Sequence, residues 1–236
     1  MGKDGPLELN RRTLLYAPIA LPLLAALGGC ESERRPEAAK DKPVKPAKST
    51  APGSGLVELI KRDPSIHLDL RYATTNNFTG RVLYPSARAF LVEEAAAGLV
   101  RAHQAAAKLG LGVTIFDAYR PWRVTKQLWD ATVPAKRDYV ANPRKGSRHN
   151  RGCAVDMTLH SLSTGALLDM PTEFDEFSSK AHRDYMGATE AQIANRATLQ
   201  TLMEAQGFIG ISNEWWHFDF AGWERYPVLD VPFEKL

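Results

Sequence analysis

The chain has 236 residues, 44% of them apolar and 24% charged, with a formal net charge of +3. That length has room for one ordinary domain plus extra segments. Residues 1–53 hold nine Lys or Arg against six Asp or Glu, which leaves 21 of each sign beyond them; the remainder is formally neutral, and a nucleic-acid partner is not expected.

At the front, Arg11-Arg12 precedes an apolar run from Leu14 to Leu27 that ends Leu27-Gly28-Gly29-Cys30. A basic start, an apolar stretch and a small-residue cleavage site make residues 1–29 a lipoprotein-type signal peptide. The stretch Asn10-Arg11-Arg12-Thr13-Leu14-Leu15 is also similar to a twin-arginine export signal. An uncleaved anchor is the competing reading, but the run is short for a span of roughly 20 residues. The mature chain is therefore expected to begin at a lipid-modified Cys30 and to sit outside the cytoplasm, as a periplasmic or cell-surface lipoprotein held to a membrane. Residues 30–54, rich in Pro, Ala and Lys, have too few large apolar side chains to offset the entropy of ordering, and read as a tether. Acylation of Cys30 would leave Cys153 as the second of two cysteines, without a partner for an internal disulfide.

The remaining residues, 55–236, read as one domain. Residues 92–109 are Ala-rich with an apolar stripe and are followed by Gly110, which predicts a helix with a glycine stop. Residues 111–116 predict a strand that delivers Asp117 and Arg120 at its carboxyl end; Pro121 closes the turn, and 123–132 resume as helix. Residues 154–159 alternate small or apolar with polar side chains and predict a second strand. A Thr189-x-x-Gln192 capping box opens a predicted helix over 190–206, stopped by Gly207, and the aromatic-rich 215–220 predict a third strand. The expected class is α+β, a single domain with a mainly antiparallel sheet packed against helices, and no repeat is visible.

Two polar clusters carry the chemistry, Ser147-Arg148-His149-Asn150-Arg151-Gly152-Cys153-Ala154-Val155-Asp156 and Glu214-Trp215-Trp216-His217. A catalytic zinc takes three nitrogen or oxygen ligands and leaves one position open for water. His149, Asp156 and His217 would supply that set, with Glu214 as a nearby carboxylate. The other four histidines, His67, His103, His160 and His182, lack such company and read as structural or surface residues.

The clusters also resemble a family. His-x6-Asp followed by Glu-x-x-His, preceded by Asp117-Ala118-Tyr119-Arg120-Pro121-Trp122, is similar to the VanX-type D-alanyl-D-alanine dipeptidases, zinc D,D-peptidases with a Hedgehog-like metal site. Asp69-Leu70-Arg71-Tyr72-Ala73-Thr74 and Asn77-Phe78-Thr79-Gly80 extend the likeness, which runs from about Ile66 to the end; Cys153 departs from it, standing where relatives commonly carry a serine. The resemblance implies one zinc on His149, Asp156 and His217, Glu214 as general base, and Arg120 as stabiliser of the transition state. It further implies Asp175 as the partner of the substrate ammonium, Ser147 near the substrate carboxylate, and a small D,D-dipeptide as substrate.

The residues alone leave rival readings open. Asp219 would point the same way as His217 on a regular strand, making it a rival ligand or a partner that orients an imidazole. Cys153 could ligate a metal or be a small buried side chain. Arg120 could simply pair with Asp117, and Glu214 could be a surface carboxylate; it converges on the metal only from a turn or bulge before the strand. The rival functions are a peptidoglycan D,D- or L,D-carboxypeptidase or endopeptidase, and a non-catalytic zinc-containing wall-binding module.

Overall fold

The computed structural model describes residues 55–236 together with Pro43, Lys45 and Pro46. The segments expected to be signal peptide and tether, with Cys30, lie almost wholly outside the described residues. In chain order the elements are β1 (Leu56–Glu58), α1 (Leu59–Arg62), β2 (His67–Leu68), β3 (Phe90–Val92), α2 (Glu93–Ala107), β4 (Leu111–Asp117), α3 (Trp122–Ala131), β5 (Ala154–Ser161), α4 (Glu190–Glu204), β6 (Phe208–Gly210) and β7 (His217–Phe220).

Five strands form the main sheet in the order β2-β4-β5-β7-β6, and β1 pairs with β3 in a separate antiparallel ribbon. Only the β2–β4 pairing is parallel, so the sheet is mainly antiparallel and the class is α+β, as expected. Strand alternation divides the long central strand β5. Val155, Met157 and Leu159 belong to one continuous hydrophobic core with Leu99 of α2 and Leu199 and Met203 of α4. Asp156, Thr158 and His160 occupy the other face of the same strand.

The elements match the expected ones with small shifts. The helix expected from 92 begins at Glu93, because Val92 pairs with Leu56 as the last residue of β3. The helix after Pro121 begins one residue earlier than expected, at Trp122. Thr189 and Gln192 form the reciprocal capping box at the start of α4. The strand expected over 215–220 begins only at His217; Trp215 and Trp216 lie in the preceding turn, where Trp215 N–H donates to Ala181 O and Trp216 O accepts from Met157 N–H. Both tryptophans are buried, and Trp215 Nε1 donates to Thr172 Oγ1. Among the described residues no helix is long and apolar enough to cross a membrane.

Candidate active site

The backbone fixes the site before any side chain is considered. Asp117 of β4, Asp156 of β5 and His217 of β7 are successive register partners, so they form a row across three adjacent strands. His149 joins the row from a one-turn 3-10 helix, His149–Arg151, that ends at Gly152 with φ 66°. A side chain at Gly152 would suffer twice: the left-handed backbone disfavours it, and a Cβ would lie 2.3 Å from Leu56 Cδ2. Asn150, fully buried, braces this turn. Its Oδ1 accepts from Ser147 N–H at 2.8 Å, and its Nδ2 donates to Arg120 O and Thr125 Oγ1, both at 2.8 Å.

Three ligand atoms converge. His217 Nδ1 lies 2.9 Å from Asp156 Oδ1, His149 Nε2 lies 3.2 Å from His217 Nδ1, and His149 Nε2 lies 3.4 Å from Asp156 Oδ1. A small dication held tetrahedrally at about 2.0–2.2 Å would separate its ligands by roughly 3.3–3.6 Å, so the trio sits at or slightly inside that spacing. These three buried residues could hold a metal ion. Their remaining ring nitrogens are already engaged, as orientation of a ligand imidazole requires. His149 Nδ1 is 2.7 Å from Ala118 O, and His217 Nε2 is 2.9 Å from Asp219 Oδ1.

Asp219 thus approaches His217 from the ring nitrogen opposite Asp156, the geometry of a group that orients the imidazole. Its other oxygen lies 3.5 Å from Arg148 Nε. Burial opposes ionisation of Asp219, but the hydrogen bond and charge of His217 outweigh it and hold the carboxyl below its usual value. The same contest at Asp156, with His149 and His217 against burial, leaves its carboxyl well below the ordinary range. Cys153 takes no part. Its buried Sγ donates to Arg151 O at 3.4 Å, and burial pushes the thiol up to about 12.

Glu214 occupies the turn before β7, buried, with Oε2 3.9 Å from His217 Nδ1. Burial pushes its carboxyl up to about 8; the His217 imidazole pulls it back, while Asp156 and Asp175 add to the rise. Arg120 satisfies both readings of it. Asp117 accepts from its Nε at 2.8 Å and pairs with its Nη2 at 2.7 Å, yet the guanidinium also lines the cavity, 3.7 Å from Asp156 and over the Tyr72 ring.

Asp175 also lines the cavity, in the left-handed region at φ 60°, a conformation uncommon for a residue with a side chain. Tyr72 Oη donates to its Oδ2 at 2.9 Å, and burial together with the Asp156 charge raises its carboxyl to about 8. Ser147 is buried at the cavity wall, where its Oγ accepts from His149 N–H at 3.2 Å. Sequence reasoning missed Tyr72 as part of the site, although it falls inside the Asp69–Thr74 match, and missed Tyr84, whose Oη donates to Asp117 Oδ1 at 2.6 Å.

The cavity measures about 190 Å³. Pockets for drug-sized ligands run to roughly 300–1,000 Å³, so this one suits a smaller molecule. Its lining carries the acidic side chains Asp138, Asp156, Asp175, Glu214 and Asp219 beside the basic Arg120, Arg148, His149 and His217.

A family model described as D-Ala-D-Ala dipeptidase matches residues 53–232. The chain belongs to that family. The D-alanyl-D-alanine dipeptidase of Escherichia coli K12 is 37% identical over 178 residues, covering 75% of this chain and 91% of its own length. The enzymes of the same name from Enterococcus faecium and Enterococcus faecalis V583 are 34% and 32% identical, covering 71% and 76% of this chain and 92% and 94% of their own lengths. All of the site residues discussed above lie within the matched family segment.

Proposed function

We propose that the protein hydrolyses D-alanyl-D-alanine, or a close D,D-dipeptide, with one zinc ion held by His149, Asp156 and His217. The observation that carries this reading is the meeting of His149 Nε2, Asp156 Oδ1 and His217 Nδ1 within 3.4 Å of one another, beside the buried Glu214. Two imidazole nitrogens and one carboxylate oxygen are a donor set that suits zinc. Membership of the dipeptidase family supports the substrate class.

When bound, zinc supplies a Lewis acid that acidifies water and polarises the scissile carbonyl. Glu214 takes a proton from the attacking water and delivers it to the leaving amine. A carboxyl raised by burial is suited to both accept and return a proton near neutral pH. Arg120, fixed by Asp117, donates to the oxygen that gains negative charge as water adds. Asp175 pairs with the substrate ammonium, and Ser147 meets the substrate carboxylate. A retained Glu214 and Arg120 favour this reading over a non-catalytic binding module, and the small cavity favours it over an enzyme of the wall polymer.

The decisive measurement compares kcat/KM for free D-Ala-D-Ala, its N-acetyl form and a murein pentapeptide. Blocking the amine removes the positive charge that Asp175 would pair with, so the acetyl form should be poorer by roughly a hundredfold or more. Comparable values for all three would replace this reading with a wall carboxypeptidase.

The location proposed is outside the cytoplasm, with the chain anchored to a membrane through acylated Cys30. There the enzyme would recover dipeptides from wall turnover. Two acyl chains anchor stably where one is marginal, so Cys30→Ala should release the protein into the soluble fraction. Equal membrane association of the variant and its parent would defeat the anchor.

A further inference from the structure

Beyond the metal residues, the cavity has an aromatic wall. Tyr139 and Phe177 both line it, and their rings stack with centroids 5.3 Å apart and planes 11° from parallel. Phe78 packs against Phe177 with ring centroids 5.0 Å apart and lines the same cavity. Tyr139 belongs to the 3-10 turn Pro134–Tyr139, which contributes no buried side chain to the core. That turn is tied down at several points instead. Lys136 Nζ donates to Phe177 O, Asn213 Nδ2 donates to Asp138 O at 3.1 Å, Tyr139 Oη is 3.3 Å from His182 Nε2, and the Arg137 guanidinium lies over the Trp129 ring. The Tyr139 turn, the Phe177 loop and the Asn213 turn before Glu214 are thereby joined around the cavity.

The wall shares a loop with the candidate partner of the substrate ammonium. Asp175 and Phe177 are two residues apart in one loop, and Asp175 holds a fixed side-chain direction through Tyr72 Oη. If Asp175 receives the substrate ammonium, a group attached to that nitrogen has to fit at the Asp175 end of the cavity, whose lining also includes Phe177 and Tyr139. We propose that the Tyr139–Phe177 stack is the specificity-determining wall that excludes N-acylated and amino-extended D,D-peptides. This rests on the dipeptidase reading above and adds to it: Asp175 rewards a free ammonium, and the stack denies space to what would replace it.

The test measures kcat/KM for N-acetyl-D-Ala-D-Ala and for free D-Ala-D-Ala in the zinc-loaded parent, in Tyr139→Ala and in Phe177→Ala. Both rings are only partly buried, and Tyr139→Leu and Phe177→Leu serve as milder replacements should an alanine variant fail to fold. The ratio of acetylated to free dipeptide should rise by roughly tenfold or more in each variant, while Tyr139→Phe, which keeps the ring, should keep the parental ratio. A parent that discriminates and variants that discriminate equally would overturn the wall and leave the dipeptidase reading standing. A parent with no preference for the free dipeptide would overturn both. The same wall loss should let a murein pentapeptide enter better than it enters the parent, and an unchanged pentapeptide rate in a variant with an altered acetyl ratio would restrict the wall to small acyl groups.

Discussion

Asp156 and His217 are direct register partners on β5 and β7, and their side chains meet at 2.9 Å between Oδ1 and Nδ1. Neighbours directly opposite on one face of an antiparallel pair have Cβ atoms about 4.5–5.5 Å apart, close enough for both side chains to reach one point. Two of the three candidate ligands are thus aligned by the sheet ladder, and only His149 depends on a turn. Asn150 and Ser147 supply the hydrogen bonds that hold that turn in place.

Removing a ligand and removing the base should therefore separate. His149→Ala, Asp156→Asn and His217→Ala should each lose bound zinc and hydrolysis together. Glu214→Gln should keep its zinc and lose roughly two to four orders of magnitude in rate. Metal analysis of the dialysed proteins beside turnover checks both. Cys153→Ser is the control: its sulfur is bonded away from the ligands, so zinc and activity should persist, and metal loss there would return Cys153 to the ligand set.

Asp219 tests the support behind His217. Without its carboxylate, the His217 ring loses the acceptor that fixes Nε2–H and turns Nδ1 towards Asp156. Loss of such a partner typically weakens metal binding by roughly 10–100-fold. Competition of Asp219→Ala against a chromophoric chelator should reveal that weakening, with hydrolysis recovering as zinc is raised. Parental affinity in the variant would limit Asp219 to its contact with Arg148.

What was legible in the sequence follows from the range of each interaction. α2, α4, β4 and β5 were readable because periodicity, a capping box and glycine stops are local signals. β1, β2, β3 and β6 were not; each has only two or three residues and exists through pairing with a distant strand. The ligands and Glu214 were legible as dense polar clusters. The groups that steady them were not, since Tyr72 meets Asp175 across 103 positions and Tyr84 meets Asp117 across 33, contacts no short motif encodes. The strand start at His217, later than expected, is what frees Glu214 from strand alternation and lets it face the same cavity as the histidine.

The last prediction concerns a second group of histidines, away from the metal. His160 is almost wholly buried on β5; Nδ1 is 2.9 Å from Thr114 Oγ1, Nε2 has no hydrogen-bond partner, and the ring stacks on His67 at 4.0 Å, 4° from parallel. Burial lowers the value of His160, and the neighbouring His67 and His103 lower it further. His103 is lowered chiefly by burial, with Asp63 opposing and His67 adding. A histidine whose folded value lies below its unfolded one, about 6.5, binds fewer protons folded than unfolded between those values, so stability falls as pH drops through that window. Asp175 and Glu214 work the other way: their folded values of about 8 lie above the unfolded carboxylate range, so their contribution is lost as pH rises. The histidine share is isolated by comparing variants rather than by the parent curve alone. Thermal melts from pH 7.5 to pH 5 should lose more Tm in the parent than in His160→Gln, which keeps a polar side chain but cannot titrate. Equal losses in the two would show that His160 stays uncharged at no cost across this range, and that the stacked pair does not govern the acid side of stability.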